Sequence, residues 1–181
     1  NKTGMKNFNY YTPTEIVFGN DSESKIGYLV RRYEGTKVLI HYGGKSAERS
    51  GLLNDICRQL DAEGILYVKL GGVVPNPRLS KVYEGIELCR KEGVNHILAI
   101  GGGSVIDSAK AIAYGLAYDG DVWDLFDGKA EAKACYPIGV VLTIPAAGSE
   151  MSNGCVITNE VGSRKRAYNN DLARPKFAIM N

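Results

Sequence analysis

The chain has 181 residues, of which 44% are hydrophobic and 23% charged, proportions typical of a globular protein with one domain or two small ones. A net charge of +2 provides no strong basic field and argues against a nucleic-acid partner. The sequence contains no apolar run of about 18 residues, as a membrane helix requires, and its first residues lack the apolar segment of a signal peptide.

Hydrophobic periodicity predicts an alternation of strands and helices along the chain. In the first half, the pattern predicts strands over Glu15–Gly19, Lys37–Tyr42 and Ile65–Leu70, and helices over Ser24–Tyr33, Ser46–Ala62 and Leu79–Cys89. In the second half, it predicts strands over Ile97–Ile100, Ile138–Ile144 and Phe177–Met180, a helix from Ser104, a short helical turn near Trp123 in a polar connection, and a hairpin of Val156–Asn159 with Lys165–Tyr168.

This alternation predicts an α/β fold with a doubly wound parallel sheet, helices on both faces and an added β-hairpin. Four of the strands run into glycine or proline at their carboxyl ends. The carboxyl ends of parallel strands meet at one edge of a sheet, where such folds bind their ligands. We therefore expect a nucleotide site along that edge, formed by Gly43-Gly44, Pro75-Asn76-Pro77, Gly101–Ser104 and Thr143–Ser149.

The segment His96–Ala113, with the sequence HILAIGGGSVIDSAKAIA, predicts a strand, a glycine turn and a helix in succession. The N–H groups at the start of a helix bind anions, and glycine lets a phosphate approach the backbone closely. The spacing GGGSxxDxxK differs from the GxGxxG of the common dinucleotide-binding turn. The turn therefore predicts a phosphate site, and a tight turn without a ligand is the alternative.

The residues after the strand KVLIHY bear on the choice between NAD and NADP. In many NAD-binding sheets a carboxylate at the end of an early strand binds the ribose hydroxyl, and no carboxylate follows this strand before Glu48. Gly43 and Gly44 leave room for a 2′-phosphate, and Lys45 and Ser46 supply charge and donors for it. We therefore expect NADP in preference to NAD, and a solvated loop lysine is the other interpretation of Lys45.

The sequence contains four cysteines, and no two of them form a CxxC pair. We therefore expect reduced thiols in a cytoplasmic protein rather than disulfides or a zinc site. The cysteines are Cys57, Cys89, Cys135 and Cys155.

These motifs resemble those of the iron-containing (group III) alcohol dehydrogenase family over essentially the whole chain. The resemblance is densest at GGGSVIDSAKAIA and at LTIPAAGSE followed by VIT. The segments HYGGKS, LGGVVPNP and RKRAY are most similar to the branch of NADPH-dependent butanol dehydrogenases and aldehyde reductases. The resemblance implies a Rossmann-like N-terminal domain, a helical C-terminal domain and a catalytic iron or zinc ion in the cleft between them.

The resemblance also implies which residues bind the cofactor. The pyrophosphate would bind at Gly101, Gly102, Gly103 and Ser104, and the 2′-phosphate at Gly43, Gly44, Lys45 and Ser46. Asn76 matches a family asparagine beside the adenosine part, and Lys165 matches a family lysine near the cofactor. A solvated charge of the hairpin is the alternative for Lys165.

The nicotinamide end of the cofactor would be bordered by Asp107, Thr143 and Ser149, with the loop 146–148 between the last two. We assign Asp107 to catalysis because it would place the nicotinamide, and we assign no proton donor. Each residue has a structural alternative, since Thr143 would serve equally to end a strand, and Asp107 to stabilise the first turn of a helix.

The metal site is where this chain departs from the family. Members of the family bind their metal through one aspartate and three histidines of the helical domain. This chain contains only His41 and His96, at the ends of two predicted strands, and we expect both to be structural. The resemblance therefore implies an N-terminal half that lacks the helical metal-binding domain, and we expect it to be inactive alone.

The predicted reaction of the complete enzyme is hydride transfer between NADP(H) and an aldehyde or a primary alcohol such as butanol. The metal would act as a Lewis acid on the carbonyl oxygen. Two alternatives stay open: an NAD-dependent polyol dehydrogenase similar to glycerol dehydrogenase, and a nucleotide-binding module without catalysis. Family members are often dimers, so a homodimer is an option, and we expect a small-molecule substrate with neither nucleic acid nor membrane as partner.

Overall fold

The computed structural model describes residues 14–18, 25–44, 47, 50–143 and 152–180. Eight strands lie in these ranges: β1 (Glu15–Phe18), β2 (Lys37–Tyr42), β3 (Leu66–Leu70), β4 (His96–Gly101), β5 (Ile138–Leu142), β6 (Gly154–Asn159), β7 (Arg164–Asn169) and β8 (Phe177–Met180). The helices of the same ranges are α1 (Ile26–Arg32), α2 (Leu52–Ala62), α3 (Leu79–Glu92), α4 (Gly103–Leu116) and α5 (Trp123–Phe126), and a 3₁₀ turn follows at Asp171–Ala173.

Six of these strands form one sheet in the order β1-β8-β5-β4-β2-β3. Every neighbouring pair in it is parallel, whereas β6 and β7 pair separately as an antiparallel hairpin. The predicted α/β fold, with a parallel sheet and an added hairpin, is therefore confirmed. None of the helices in the described ranges combines the length and the hydrophobicity needed to cross a bilayer.

The sheet separates two hydrophobic cores, as a doubly wound fold requires. Alternate residues of a strand point to opposite faces. On one face, Val38 and Ile40 of β2 pack with Ile26 of α1 and Ile56 of α2. On the other face, Leu39 packs in the core formed with α3, α4 and the hairpin. The central strands β2, β4 and β5 are buried along nearly their whole length, which explains their largely apolar sequences.

Two helix boundaries differ from the expected positions by several residues. The predicted helix Ser46–Ala62 is not continuous, because Gly51 has a φ of +77° and α2 begins after it at Leu52. A left-handed residue interrupts the helical hydrogen-bond pattern, although the apolar spacing continues across it. Helix α3 extends beyond the predicted Cys89 to Glu92 and ends at Gly93, which has a φ of +70°.

The connection between α4 and β5 is less polar than the sequence predicted. Its short helix α5 lies at the predicted place, but Trp123 and Phe126 are buried and stack with ring centroids 5.7 Å apart. The guanidinium of Arg164, from the hairpin, lies 5.5 Å from the centre of the Trp123 ring. Aromatic burial therefore fixes this connection against the rest of the domain.

An aromatic stack fills the core at the amino ends of the strands. The ring of Phe177 in β8 stacks on His96 at 5.9 Å and on Tyr33 at 6.0 Å. Burial lowers the pKa of His96 to about 4, so the ring is neutral near pH 7. Gly139 of β5 lies under this stack, and a Cβ at that position would overlap the Phe177 ring.

Gly139→Ala tests this packing. We expect the substitution to lower the free energy of unfolding by about 1–3 kcal/mol, because the added methyl group displaces a buried ring in a close-packed core. Urea denaturation measures the change. Gly44→Ala is the matched control, because no atom of the described residues lies within 4 Å of its added Cβ, and it should leave the unfolding midpoint within experimental error. Equal midpoints for the two variants would contradict the close packing.

Candidate nucleotide site

The strand order creates a crevice between the carboxyl ends of β2 and β4. From β2 the chain crosses one face through α2 to β3, and from β4 it crosses the opposite face through α4 to β5. The neighbouring strands β2 and β4 therefore lead away from each other, which is the topological switch point where such sheets bind ligands. Tyr42 of β2 pairs with Ile100 of β4 at this edge, so the glycines that follow both strands lie side by side.

The glycine turn after β4 leads directly into α4. Gly101 has a φ of +151°, and a Cβ there would lie 2.8 Å from Val105 Cγ2, so the turn requires glycine. Gly102 precedes the helix and has no side chain to cap it, and the first turn of α4 contains no acidic residue. The first N–H groups of a helix have no acceptor within it. Residues 101–104 are partly exposed, so this positive helix end is accessible from the crevice.

The end of β2 forms the neighbouring wall of the crevice. The carbonyl of Gly43 accepts a hydrogen bond of 2.7 Å from the N–H of Gly72, in the loop after β3. A Cβ at Gly43 would lie 3.4 Å from the Val73 carbonyl oxygen, whereas a Cβ at Gly44 would have no atom of the described residues within 4 Å. Gly44 is exposed at this edge of the sheet. The predicted phosphate contacts at positions 45 and 46 lie outside the described residues.

Asn76 and Lys165, which the sequence places 89 positions apart, meet in the structure. The ammonium of Lys165 in β7 donates a hydrogen bond of 2.9 Å to Asn76 Oδ1. Asn76 has a φ of +56°, in the left-handed region that asparagine tolerates well. The hairpin docks here because the Thr158 N–H donates to the Pro77 carbonyl at 2.9 Å. Lys165 is exposed, but its contact with Asn76 places it at the loop after β3 rather than free in solvent.

Asp107 faces the hairpin from the second turn of α4. Its partly buried carboxylate accepts a hydrogen bond of 3.2 Å from the Val156 N–H of β6. Burial raises the pKa of Asp107 to about 6, opposed by the Val156 N–H and by the positive charge of Lys110. The alternative role in the first turn of the helix is wrong, because that turn contains no acidic residue.

Thr143 lies beside the glycine turn. Its N–H donates to the Gly101 carbonyl at 3.4 Å, which extends the pairing of β4 with β5 beyond the strands themselves. Thr143 is exposed at the same edge as Gly101 and Gly43. The rest of the predicted nicotinamide loop, including position 149, lies outside the described residues.

Lys110, the last residue of the GGGSxxDxxK pattern, has no role predicted from the sequence and has no exposed surface. Its ammonium donates hydrogen bonds to the Ser152 carbonyl at 2.7 Å and the Gly154 carbonyl at 3.0 Å. Burial lowers the pKa of Lys110. The burial of Lys110 was predictable from the sequence. Apolar residues such as Ala109 and Ile112 surround it in α4, and a lysine within such a helix cannot easily reach solvent.

His41 is a structural residue, as expected. Its ring is fully buried, with Nδ1 2.8 Å from the Leu70 carbonyl oxygen and Nε2 2.8 Å from Ser108 Oγ. A carbonyl only accepts, so Nδ1 carries the proton and Nε2 accepts from the serine hydroxyl. Burial lowers the pKa of His41 to about 4 and keeps the ring neutral.

The residues in the described ranges do not fit a metal site. No three histidine, cysteine, aspartate or glutamate side chains in them come together as ligands. The two histidines are buried in opposite cores of the sheet, and the cysteines are free thiols, three of them buried.

The chain matches the family of iron-containing alcohol dehydrogenases over residues 13–181. It is 45% identical to the Bacillus subtilis protein named "probable NADH-dependent butanol dehydrogenase 2", over 98% of this chain and 45% of that protein. It is 36% identical to the Escherichia coli NADPH-dependent aldehyde reductase YqhD, over 98% of this chain and 46% of that protein.

Solved structures agree with this similarity. The crystal structure of NADH-dependent butanol dehydrogenase A from Thermotoga maritima is 44% identical, with a TM-score of 0.90 over 93% of this chain and 42% of that one. The chain thus spans about half the length of the curated relatives it matches. Both the sequence and the parallel sheet with its glycine turn match over nearly the whole chain, and the chain therefore belongs to the iron-containing alcohol dehydrogenase family.

Proposed function

We propose that this chain is the cofactor-binding half of a metal-dependent alcohol dehydrogenase or aldehyde reductase. The complete enzyme would transfer hydride between NADP(H) and an aldehyde or a primary alcohol such as butanol. The observation that carries the proposal is the uncapped amino end of α4 at the switch point of the sheet, with the exposed Gly44 next to it. An extended dinucleotide with a pyrophosphate and a 2′-phosphate matches a crevice of this kind.

The cofactor would lie along the carboxyl edge of the sheet. Its pyrophosphate would accept hydrogen bonds from the N–H groups of 102–104, because these have no acceptor within α4. Its adenosine would lie toward β3, where Asn76 and Lys165 meet. Its nicotinamide would lie toward β5, beside Asp107 and Thr143, with Ser149 as the further predicted contact. The order β5-β4-β2-β3 supports this direction, since it puts these groups in the same sequence along one edge.

When bound, NADP(H) supplies or accepts the hydride, and the residues of this chain orient its ring. Asp107 can orient the ring through the negative charge of its carboxylate. This carboxylate is partly buried and accepts a hydrogen bond from the Val156 N–H, which fixes its position. We assign the metal ligands to residues outside the part of the chain described here, since that part contains no ligand cluster.

The preference for NADP(H) is argued from the residues at the end of β2, where a carboxylate is missing and a lysine follows. The described residues Tyr42, Gly43 and Gly44 present no carboxylate to a ribose hydroxyl, and no atom of the described residues lies within 4 Å of a Cβ at Gly44. Lys45 and Ser46 follow directly in the sequence. The relatives are named for different cofactors: the Bacillus subtilis protein is named for NADH and the Escherichia coli protein for NADPH.

A titration with NADPH and NADH tests the cofactor choice. We expect the wild-type chain to bind NADPH at least about tenfold more tightly, because a 2′-phosphate gains charge-assisted hydrogen bonds. Gly44→Asp should reverse the preference, because a carboxylate there repels the phosphate and accepts hydrogen bonds from the ribose. Gly44→Ser is the matched control, since it occupies the same space without charge. Equal wild-type affinities for the two cofactors would contradict the phosphate site.

The titration of Asp107 gives a second prediction. Above its pKa of about 6 the carboxylate is anionic, and it attracts the cationic ring of NADP⁺ but not the neutral ring of NADPH. As the pH rises from 5 to 7.5, the affinity for NADP⁺ should therefore increase about fivefold relative to NADPH, which corresponds to about 1 kcal/mol of screened attraction. Fluorescence titrations at the two pH values measure this ratio.

Asp107→Asn is the control for this effect, because its amide oxygen can still accept from the Val156 N–H but carries no charge. We expect its affinity ratio to be independent of pH in this range. If the affinity ratio changes equally with pH in the wild type and the variant, Asp107 does not act on the nicotinamide.

The reaction itself is tested with the complete, metal-loaded enzyme. We expect NADPH oxidation, followed by its absorbance, with butanal as substrate, because an aldehyde is the acceptor implied by this branch of the family. Oxidation of glycerol with NAD⁺ at a higher kcat/KM would favour a polyol dehydrogenase instead. Cofactor binding without either reaction would favour a nucleotide-binding module.

A further inference from the structure

A buried lysine connects α4 to the first strand of the hairpin. The Lys110 ammonium donates to the carbonyls of Ser152 and Gly154, and one turn earlier Asp107 accepts from the Val156 N–H. Two charged side chains of α4 thus bind three peptide groups within five consecutive residues. They fix the start of β6 against the helix whose amino end faces the crevice.

Packing alone does not account for a lysine at this position. Its neighbours Ala109 and Ala111 have no exposed surface, and an apolar side chain of similar length would fill the same volume. Burying an ammonium costs free energy unless it is fully hydrogen-bonded, and a hydrophobic replacement is often as stable. The charge therefore points to a role in orientation, because it fixes peptide groups that an apolar residue would leave unbonded.

Lys110 and Asp107 also interact directly through their charges. The positive charge of Lys110 favours the ionised form of Asp107, and the negative charge of Asp107 favours the ionised form of Lys110. Among the described residues, Lys110 is also affected by the thiols of Cys155 and Cys135 and by the guanidinium of Arg174. Burial raises the pKa of both thiols, so they are neutral near pH 7.

We propose that Lys110 is a positioning residue, which holds the Asp107 carboxylate in place for the nicotinamide by fixing the start of β6. This role rests on the proposed function, in which Asp107 lies beside the nicotinamide. Lys110 therefore affects the nicotinamide end of the cofactor and not its phosphate groups. The phosphate-binding turn at 101–104 lies two turns away along α4 and makes its own contacts with β5 and Val105.

Binding measurements with two ligands distinguish the positioning role of Lys110 from a general loss of folding. NADPH contains the nicotinamide, whereas 2′-phospho-ADP-ribose contains the adenosine, the 2′-phosphate and the pyrophosphate without it. We expect Lys110→Met to weaken NADPH binding about fivefold to tenfold, the scale of one lost charge-assisted hydrogen bond. Its affinity for 2′-phospho-ADP-ribose should stay within about twofold of wild type.

Tyr114→Phe is the matched control. Tyr114 is equally buried on α4, and its hydroxyl donates to the carbonyl of Asn170, directly after β7, at 3.0 Å. The variant removes a buried donor from α4 at the same end of the hairpin, but it leaves the hydrogen bonds of Lys110 and Asp107 to β6 and the residues before it in place. We expect it to bind both ligands as wild type does.

A second readout follows the charge of Asp107. In Lys110→Met, the pH at which the preference between NADP⁺ and NADPH changes should move above the wild-type value, because a nearby positive charge is lost. If Lys110→Met does not fold, Lys110→Gln is measured instead, since it retains an amide donor without charge, and the same direction is expected. Lys110→Arg, which retains charge and donors, should recover part of the NADPH affinity.

Three results would overturn the role. Equal losses for both ligands in Lys110→Met would show that the residue only stabilises the fold, and unchanged affinities with an unchanged pH midpoint would show that it does not act on Asp107. In both cases wild-type binding of NADPH would leave the proposed function intact. If the wild-type chain binds neither NADPH nor 2′-phospho-ADP-ribose, the proposed function fails, and the role of Lys110 fails with it.

Discussion

The burial of α4 is the constraint on which the rest of this structure depends. The helix packs against the sheet, against α3 and against the hairpin, and ten of its residues are buried. Each polar side chain in its buried part therefore needs a partner. Ser108 binds His41, Lys110 binds the start of β6, and Tyr114 binds the end of β7. These contacts reach β2 and the open end of the hairpin, where β6 begins and β7 ends, so they fix the direction in which the helix presents its amino end.

Glycines bring the helices of this face close together. A Cβ at Gly85 of α3 would overlap Ile112 of α4, and a Cβ at Gly115 of α4 would overlap Ile86 of α3. The two helices thus interlock, with an isoleucine of each filling the space opposite a glycine of the other. Close packing of this kind resists displacement, because any added volume must move a buried side chain. A ligand at the amino end of α4 would therefore meet N–H groups that are already in place, which favours binding.

Local pattern accounts for most of the fold and for part of the site. Strands and helices were predictable because hydrophobic periodicity records which face of each element is buried, and the glycines after β2 and β4 marked the carboxyl edge. The break at Gly51 was not predictable, because its apolar spacing is compatible with either one helix or two. The burial of Trp123 and the contact of Lys165 with Asn76 depend on residues far away in the sequence. No window of neighbouring residues contains that information.

The hairpin connects the two ends of the crevice. Near its start, Asp107 and Lys110 hold β6 beside the proposed nicotinamide end. At its turn, the carboxylate of Glu160 accepts a hydrogen bond of 3.1 Å from the Ser80 N–H in the first turn of α3, beyond the contact of Lys165 with Asn76. An anion at a helix amino end is favourable, and the Ser80 contacts lower the pKa of Glu160. Because each end of this antiparallel ladder is held by its own hydrogen bonds, loss of the contacts at the start of β6 would leave the adenosine end in place.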